Sequence, residues 1–323
     1  MCNLLLPADL TATGHIVAGR YVRVAAGWPV LHDGAVMAES TNTDPELMPV
    51  VFSDLDGTLL DHLDYSYEPA LGALQRLKAR NIPLILASSK TRAEMQAVGE
   101  ELGAAGLIFE NGAGVQWPGD VDPGPPAAAE HISYADIRRF IETLPTDLRR
   151  HLTGFGDMDD AGVAAITGLS LRDARLARQR EFTEPFTWLA SIQELDRLTA
   201  RAGAAGICVT SGGRFNSFTG AHDKASRVRE ICSAYATQAG SSCRVWSIAL
   251  GDAPNDCEML ETAQRGFIIH NPDGTSLPEL PGERDGRITR VPTPGPAGWN
   301  RSIMLALQEI DTKNKNRKRS ANG

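Results

Sequence analysis

Apolar and polar residues along this chain follow two different periods, and the switch between them maps its organisation. Val50-Val51-Phe52 is a continuous β-type apolar run that ends in Ser53-Asp54. A helical stretch follows, with Leu71, Leu74 and Leu77 on one face and Glu68-Pro69 near its start. The run Ile82-Pro83-Leu84-Ile85-Leu86 then ends in Ala87-Ser88-Ser89-Lys90. A helix over Arg92 to Leu102 leads to Leu107-Ile108-Phe109, which ends in Glu110-Asn111-Gly112. Strand, helix, strand, helix, strand with short connections predicts a parallel sheet built from βαβ units.

The pattern changes at Pro118 to Pro126, a Pro-, Gly- and Asp-rich stretch that reads as a linker. Beyond it the spacing predicts helices over about 134–151, 170–179 and 192–202, with β-like runs at 184–190 and 206–211. Gly212-Gly213 reads as a tight hairpin before Arg214-Phe215. The βα pattern then resumes, with a helix opening at Lys224, a strand over Val245 to Leu250 ending in Gly251-Asp252, and a strand at Gly266-Phe267-Ile268-Ile269. One α/β domain, a Rossmann-like parallel-sheet core over 48–117 and 215–310, is therefore expected to be interrupted by an inserted α+β cap over 118–214. Residues 1–47 show no clear period and read as an appended segment, and the basic stretch 311–323 reads as a flexible tail.

Composition narrows the function classes. At 323 residues, 42% hydrophobic and 22% charged, the chain has ordinary globular values. A formal charge of −8 argues against a general binder of nucleic acid or of membrane surfaces. It leaves room for an anionic small substrate met by a local basic pocket. No apolar run approaches the ~20 residues needed to span a bilayer. Five cysteines (Cys2, Cys208, Cys232, Cys243, Cys257) form no CxxC pair, which fits a reduced, cytoplasmic protein.

Three predicted strands end in polar residues, Asp54, Ser88 and Asp252, and in an open parallel sheet ligands bind at the carboxyl ends of the strands. An ionised aspartate emerging there can attack phosphorus without a base to activate it. Asp56, two residues on, can protonate the leaving alkoxide and later deprotonate water. Gly57 lets the loop turn and offer backbone N–H groups to phosphate oxygens. Hard oxygens from Asp54, Asp252 and the Asp56 carbonyl suit Mg²⁺, with Asn255 and Asp256 orienting them from behind. Ser88 (or its neighbour Ser89) and Lys224 supply a hydroxyl and a cation for phosphate. Each feature has an ordinary structural counterpart: Asp-x-Asp-Gly is a common turn, and a lone lysine at a helix start is commonly a surface residue.

Together, Asp54-Leu55-Asp56-Gly57-Thr58-Leu59-Leu60, Ser88, Lys224 and Gly251-Asp252-x-x-Asn255-Asp256 resemble the four motifs of the haloacid dehalogenase superfamily, in the same order. The resemblance spans about Val50 to Pro292. It implies Asp54 as nucleophile, Asp56 as acid and base, Ser88 and Lys224 on phosphate, and Asp252 on magnesium. Tyr65-Ser66-Tyr67-Glu68-Pro69-Ala70, Ser89-Lys90-Thr91-Arg92-Ala93-Glu94, Phe109-Glu110-Asn111-Gly112-Ala113, Arg180-Glu181-Phe182-Thr183-Glu184-Pro185 and Gly212-Gly213-Arg214-Phe215 resemble the mannosyl-3-phosphoglycerate phosphatase family. That family releases the compatible solute mannosylglycerate. The resemblance implies a phosphorylated sugar-glycerate substrate. Arg180 and Arg214 are then expected to pair with its carboxylate, and Asn111, Thr183 and Glu184 to bond sugar hydroxyls, beside Gly213. Glucosyl-3-phosphoglycerate, sucrose phosphate or another hexose phosphate is the alternative substrate, and a phosphomutase or a non-catalytic sugar-phosphate binder the alternative class. Two departures stand out: Ala225 follows Lys224 where the family has glycine, and Asn216-Ser217-Phe218 stand where an aromatic and a histidine are expected.

Overall fold

The structure is a computed structural model that describes residues 45–119, 121, 132–211, 215–272 and 277–321. In chain order the elements are β1 (Glu46–Ser53), α1 (Leu71–Ala79), β2 (Leu84–Ala87), α2 (Arg92–Leu102), β3 (Gly106–Phe109) and β4 (Gly114–Gln116). Next come α3 (Tyr134–Glu142), α4 (Thr146–Arg149), β5 (Leu152–Gly154), α5 (Asp160–Thr167), α6 (Leu171–Ala177), β6 (Glu184–Trp188), α7 (Ile192–Ala204), β7 (Cys208–Ser211) and β8 (Asn216–Thr219). The chain ends with α8 (Lys224–Ala239), β9 (Cys243–Gly251), α9 (Cys257–Thr262), β10 (Arg265–His270), α10 (Pro281–Arg284), β11 (Ile288–Pro294) and α11 (Gly295–Ala321).

Seven strands form one sheet in the order β11-β10-β9-β1-β2-β3-β4, parallel throughout except for the β3–β4 pair. The α/β expectation therefore holds, with β1 at the centre between β9 and β2. Alternation along β1 divides the core. Leu47 and Val51 face one layer, with Trp299, Ile303 and Leu307 of α11, while Met48, Val50 and Phe52 face the other, with Val228 and Ile231 of α8. The period of two carries on past the strand. Ser53 accepts a hydrogen bond from the Trp299 indole on α11 at 2.9 Å, and Asp54 meets Lys224 at the start of α8. A separate antiparallel sheet, β5-β6-β8-β7, has its own core around Ile137, Phe140, Phe186, Leu198 and Phe218.

Several sequence expectations shift. β1 starts at Glu46, inside the stretch 1–47 read as an appended segment. The predicted helix over 134–151 ends at Glu142 and restarts at Thr146, because Pro145 cannot continue it. β5 and α5 had no counterpart in the reading. The second sheet runs to Thr219, five residues past the expected boundary at 214, because β8 pairs with both β6 and β7. The basic stretch from 311, read as a flexible tail, continues α11 as far as Ala321. Its polar residues are engaged: Arg80 holds Asp311 through two bonds, the Asn314 amide bonds both backbone groups of Leu47, and Arg317 reaches the Pro45 carbonyl. The Gly212-Gly213 hairpin, with Gly213 and Arg214, lies outside the described residues, as do residues 1–44.

Candidate active site

At the carboxyl edge of the seven-stranded sheet, where the chain leaves β1 in one direction for β2 and returns from the other through β9, three carboxylates converge, with a fourth two residues past the first. Their geometry starts with backbone register. The Asp54 N–H donates to the Leu250 carbonyl at 2.9 Å, which locks the end of β1 to the end of β9. The Ser53 hydroxyl donates to the Asp54 carbonyl at 2.7 Å, so the Trp299–Ser53 bond steadies the same peptide from the opposite face.

Lys224 is the hub. Its Nζ donates to Asp54 Oδ1 at 2.6 Å and to Asp256 Oδ1 at 2.7 Å, and its side chain is 1% exposed. Burial alone would lower its proton affinity, yet Asp256 and Asp54 outweigh this and hold its pKa above the ordinary lysine value. Asp223 caps the helix by accepting from the Ser226 N–H at 2.6 Å, which fixes where Lys224 emerges. The other oxygen of Asp256 accepts the Asp252 and Ala253 N–H groups, both at 3.1 Å, and so shapes the loop after β9.

Asp252 is held by Thr58 Oγ1 and Asn271 Nδ2, each at 2.6 Å. Ligand-capable oxygens of Asp54, Asp252 and Asp256 lie within 4.8 Å of one another, and all three residues are buried. Burial first, and then repulsion from Asp256, raise the pKa values of Asp54 and Asp252; Lys224 opposes the rise at Asp54, and Thr58, Asn271 and Lys224 oppose it at Asp252. Asp56 adds a fourth carboxylate. Its Oδ2 pairs with Lys90 Nζ at 3.0 Å, and its buried Oδ1 has no hydrogen-bond partner among the described residues. In the cluster itself three acids thus share one lysine. An all-oxygen donor set carrying that excess of negative charge fits a divalent cation.

The remaining expected residues divide. Ser88 is buried just past β2, where its hydroxyl accepts the Lys90 N–H at 3.3 Å, whereas Ser89 is exposed and its carbonyl accepts from Arg180. Gly57 is placed at the turn as expected, at φ +78°, and its own N–H donates to the Leu60 carbonyl at 2.9 Å. Glycine is needed there for another reason: a Cβ would lie 2.7 Å from Asp252 Oδ2. Asn255 extends its amide to Asn111 Oδ1 at 3.1 Å rather than to a carboxylate. Arg180, expected on a substrate carboxylate, donates to the backbone carbonyls of Ala177 and Ser89, both at 2.9 Å. Thr183 gives its hydroxyl to Glu110 at 2.7 Å. Glu184 is fully buried, where it accepts from Arg138 and from the Gly156 N–H, both at 2.8 Å, and its Oε2 is unpartnered among the described residues.

Thr58, Lys90, Glu110 and Asn271 were not singled out as site residues. Asn271 carries the signal used for Asp54, Ser88 and Asp252, a polar residue just past a buried strand, because it follows β10. Glu110 carries it too, following β3, but its carboxylate turns away from the cluster toward Glu181–Thr183. Thr58 and Lys90 reach Asp252 and Asp56 by side-chain direction, which spacing along the chain does not encode.

A family model for haloacid dehalogenase-like hydrolases matches residues 51–158. A glucosyl-3-phosphoglycerate/mannosyl-3-phosphoglycerate phosphatase from Methanococcoides burtonii is 37% identical over 270 residues, covering 79% of this chain and 96% of the relative. Two solved structures share the fold. The sucrose-phosphatase of Synechocystis, in complex with sucrose and phosphate, has a TM-score of 0.54 at 17% identity and covers 82% of this chain and 98% of its own. A phosphatase of the haloalkanoate enzyme superfamily from Bacteroides thetaiotaomicron has a TM-score of 0.55 at 16% identity, with 87% and 99% covered.

Proposed function

We propose that this chain, which belongs to the haloacid dehalogenase-like hydrolases, is a Mg²⁺-dependent phosphatase that hydrolyses mannosyl-3-phosphoglycerate to mannosylglycerate and inorganic phosphate. The observation that carries the reaction is the Lys224 ammonium bound at 2.6 Å to a buried Asp54 within an all-carboxylate cluster. The 37% identity to the Methanococcoides phosphatase supports the substrate class.

In this reading Lys224 occupies Asp54 Oδ1 and fixes the carboxylate's orientation, leaving Oδ2 as the attacking atom. Attack on phosphorus forms an acyl-phosphate on Asp54 and breaks the phosphorus–oxygen bond to the glycerate. Asp56 Oδ1 carries the proton that the departing alkoxide takes up. The same carboxylate then removes a proton from water, whose oxygen attacks phosphorus, frees phosphate and regenerates Asp54. Lys90 on Oδ2 keeps Asp56 turned so that Oδ1 is the working oxygen. Ser88 donates its hydroxyl to a phosphate oxygen. Asp54, Asp252 and the Asp56 carbonyl would hold Mg²⁺, with Asp256 shaping the loop; the ion offsets repulsion between the anionic nucleophile and the phosphate.

The unit around the second sheet acts as the cap in this reading, with Asn111 and Arg180 nearest the sugar and glycerate. Release of inorganic phosphate with Mg²⁺ across a panel of mannosyl- and glucosyl-3-phosphoglycerate, sucrose phosphate and simple hexose phosphates tests it. Highest kcat/KM is expected for the glycosyl-3-phosphoglycerates. Equal or greater preference for an unrelated monoester would overturn the substrate. Isomerised sugar phosphate without net phosphate release would point to a mutase.

A further inference from the structure

The turn after β3 contacts the segment after β2, the loop after β9 and the start of α8 at once. Glu110, Asn111 and Gly112 are consecutive residues in the left-handed region, with φ of +50°, +57° and +97°. That backbone is disfavoured for residues with a side chain, and here it sends successive groups in different directions. The Glu110 N–H donates to the Lys90 carbonyl at 2.8 Å and the Asn111 N–H to the Ser88 carbonyl at 2.9 Å, which stitches the turn to the segment after β2. The Asn111 side chain meets Asn255 in the loop after β9. Gly112 packs so tightly on the start of α8 that a Cβ would lie 2.2 Å from the Asp223 carbonyl carbon.

The Glu110 carboxylate points elsewhere, into the segment joining α6 to β6. Its Oε1 accepts the Glu181 N–H at 2.8 Å, and its Oε2 accepts the Phe182 N–H at 3.1 Å and the Thr183 hydroxyl at 2.7 Å. Glu110 is 1% exposed, so these three donors replace its lost hydration. A second, exposed leg runs alongside: Arg92 at the start of α2 grips Glu181 through Nε at 2.9 Å and Nη2 at 2.6 Å. The clamped residues are flanked directly by Arg180 and Glu184.

We propose that Glu110 is a positioning residue. By clamping Glu181 to Thr183, with Arg92 as its outer partner, it fixes the second-sheet unit over the phosphate site and so sets affinity for the sugar-bearing half of the substrate, while taking no part in phosphoryl transfer. This rests on the phosphatase reading above.

The test compares Glu110→Gln, Arg92→Glu and the charge-swapped Arg92→Glu/Glu181→Arg protein on mannosyl-3-phosphoglycerate and on p-nitrophenyl phosphate, which has no sugar to contact the second-sheet unit. Arg92 and Glu181 are surface groups, so their variants fold even where a buried Glu110 substitution does not. For Glu110→Gln and Arg92→Glu, KM for the sugar substrate is expected to rise at least ~5-fold with kcat within ~2-fold, and kcat/KM for p-nitrophenyl phosphate to stay within ~2-fold. The charge swap restores KM. Parallel losses on both esters, an unchanged KM, or no recovery in the swap would overturn the proposal. Amide hydrogen exchange at Glu181 and Phe182 is followed in the same proteins without substrate, and faster exchange is expected in both single variants. Unchanged exchange refutes the clamp whether or not the protein turns over either ester, whereas a wild type inactive on both refutes only the phosphatase reading.

Discussion

Replacing Lys224 by methionine keeps most of the side chain's volume and removes only its charge. Two contacts vanish, at 2.6 Å to Asp54 and 2.7 Å to Asp256, in a place where the ammonium is 1% exposed. The surviving carboxylates are then buried without a counter-charge, with Asp252 close by. Breaking one partner out of a buried ion pair costs about 3–5 kcal/mol. At an unfolding entropy of ~2.1 cal/mol/K per residue, a 323-residue chain loses roughly 1.5 °C per kcal/mol, so the midpoint of thermal unfolding in chelator falls by about 4–8 °C. Because the folded-state pKa of Lys224 lies above its ordinary ~10.4, its contribution is fully present at neutral pH and fades only as pH rises through the folded value. Two controls isolate the cause. Saturating Mg²⁺ supplies positive charge to the same acids, so it raises the variant's midpoint by more than the wild type's. Lys224→Met/Asp256→Asn removes one stranded charge and recovers part of the loss. Differential scanning calorimetry with and without chelator provides the measurement. A drop below about 2 °C, or an equal response to Mg²⁺ in both proteins, would refute the view that Lys224 balances this cluster.

Two other outcomes follow from the same structure. Asp54→Asn is expected to cut phosphate release by more than ~1000-fold while moving stability by no more than ~1 kcal/mol, because the amide sheds a charge that burial and Asp256 disfavour; retained turnover would exclude the covalent route. Among the described cysteines, exposed Cys208 is expected to react with a thiol reagent at pH 8 in the native protein, whereas half-buried Cys232, whose thiol desolvation pushes up to about 12, is expected to react far more slowly until the chain unfolds. Mass mapping of the labelled peptides decides between the two sites, and equal native rates would contradict the shielding of the Cys232 thiol.

The framework of this site is legible in sequence because a parallel sheet turns a one-dimensional signal into a place. Asp54, Ser88 and Asp252 each follow a buried apolar run, and the strands that carry them lie side by side, so their ends converge whatever the loops do. The specificity residues had no such device. Arg180, Thr183 and Glu184 have the hydrogen-bonding groups suited to a sugar-glycerate, but those groups are also the ones a buried interface uses to satisfy backbone and carboxylate. The structure shows Thr183 on Glu110, Arg180 on two carbonyls and Glu184 on Arg138. Residue type alone does not separate these two uses. The reach of α11 was misread for a related reason: Lys318 and Arg317 look like solvated charge in sequence, yet they meet Glu46 and the Pro45 carbonyl at the start of β1.

Gly57 has a packing role that its turn propensity does not reveal. Its positive φ fits a tight turn, and a turn after a nucleophile invites the idea of an N–H aimed at phosphate. The Gly57 N–H itself closes the Leu55–Leu60 loop, and the hydrogen on Cα lets Asp252 approach where a methyl group would collide at 2.7 Å. The residue therefore governs how closely two carboxylate-bearing loops pack, and through that distance the spacing of oxygens around the cluster. Thr58 acts in the same direction from the next position, its hydroxyl pulling Asp252 Oδ1 in to 2.6 Å. Asn271 holds the other oxygen at 2.6 Å from β10. Asp252 is thus positioned by groups that follow two different strands, and its repulsion from Asp54 and Asp256 is held in place by covalent geometry and hydrogen bonds. Buried repulsion of this kind gives the fold a strong, localised demand for positive charge at the edge of the sheet where an anionic substrate would have to be met.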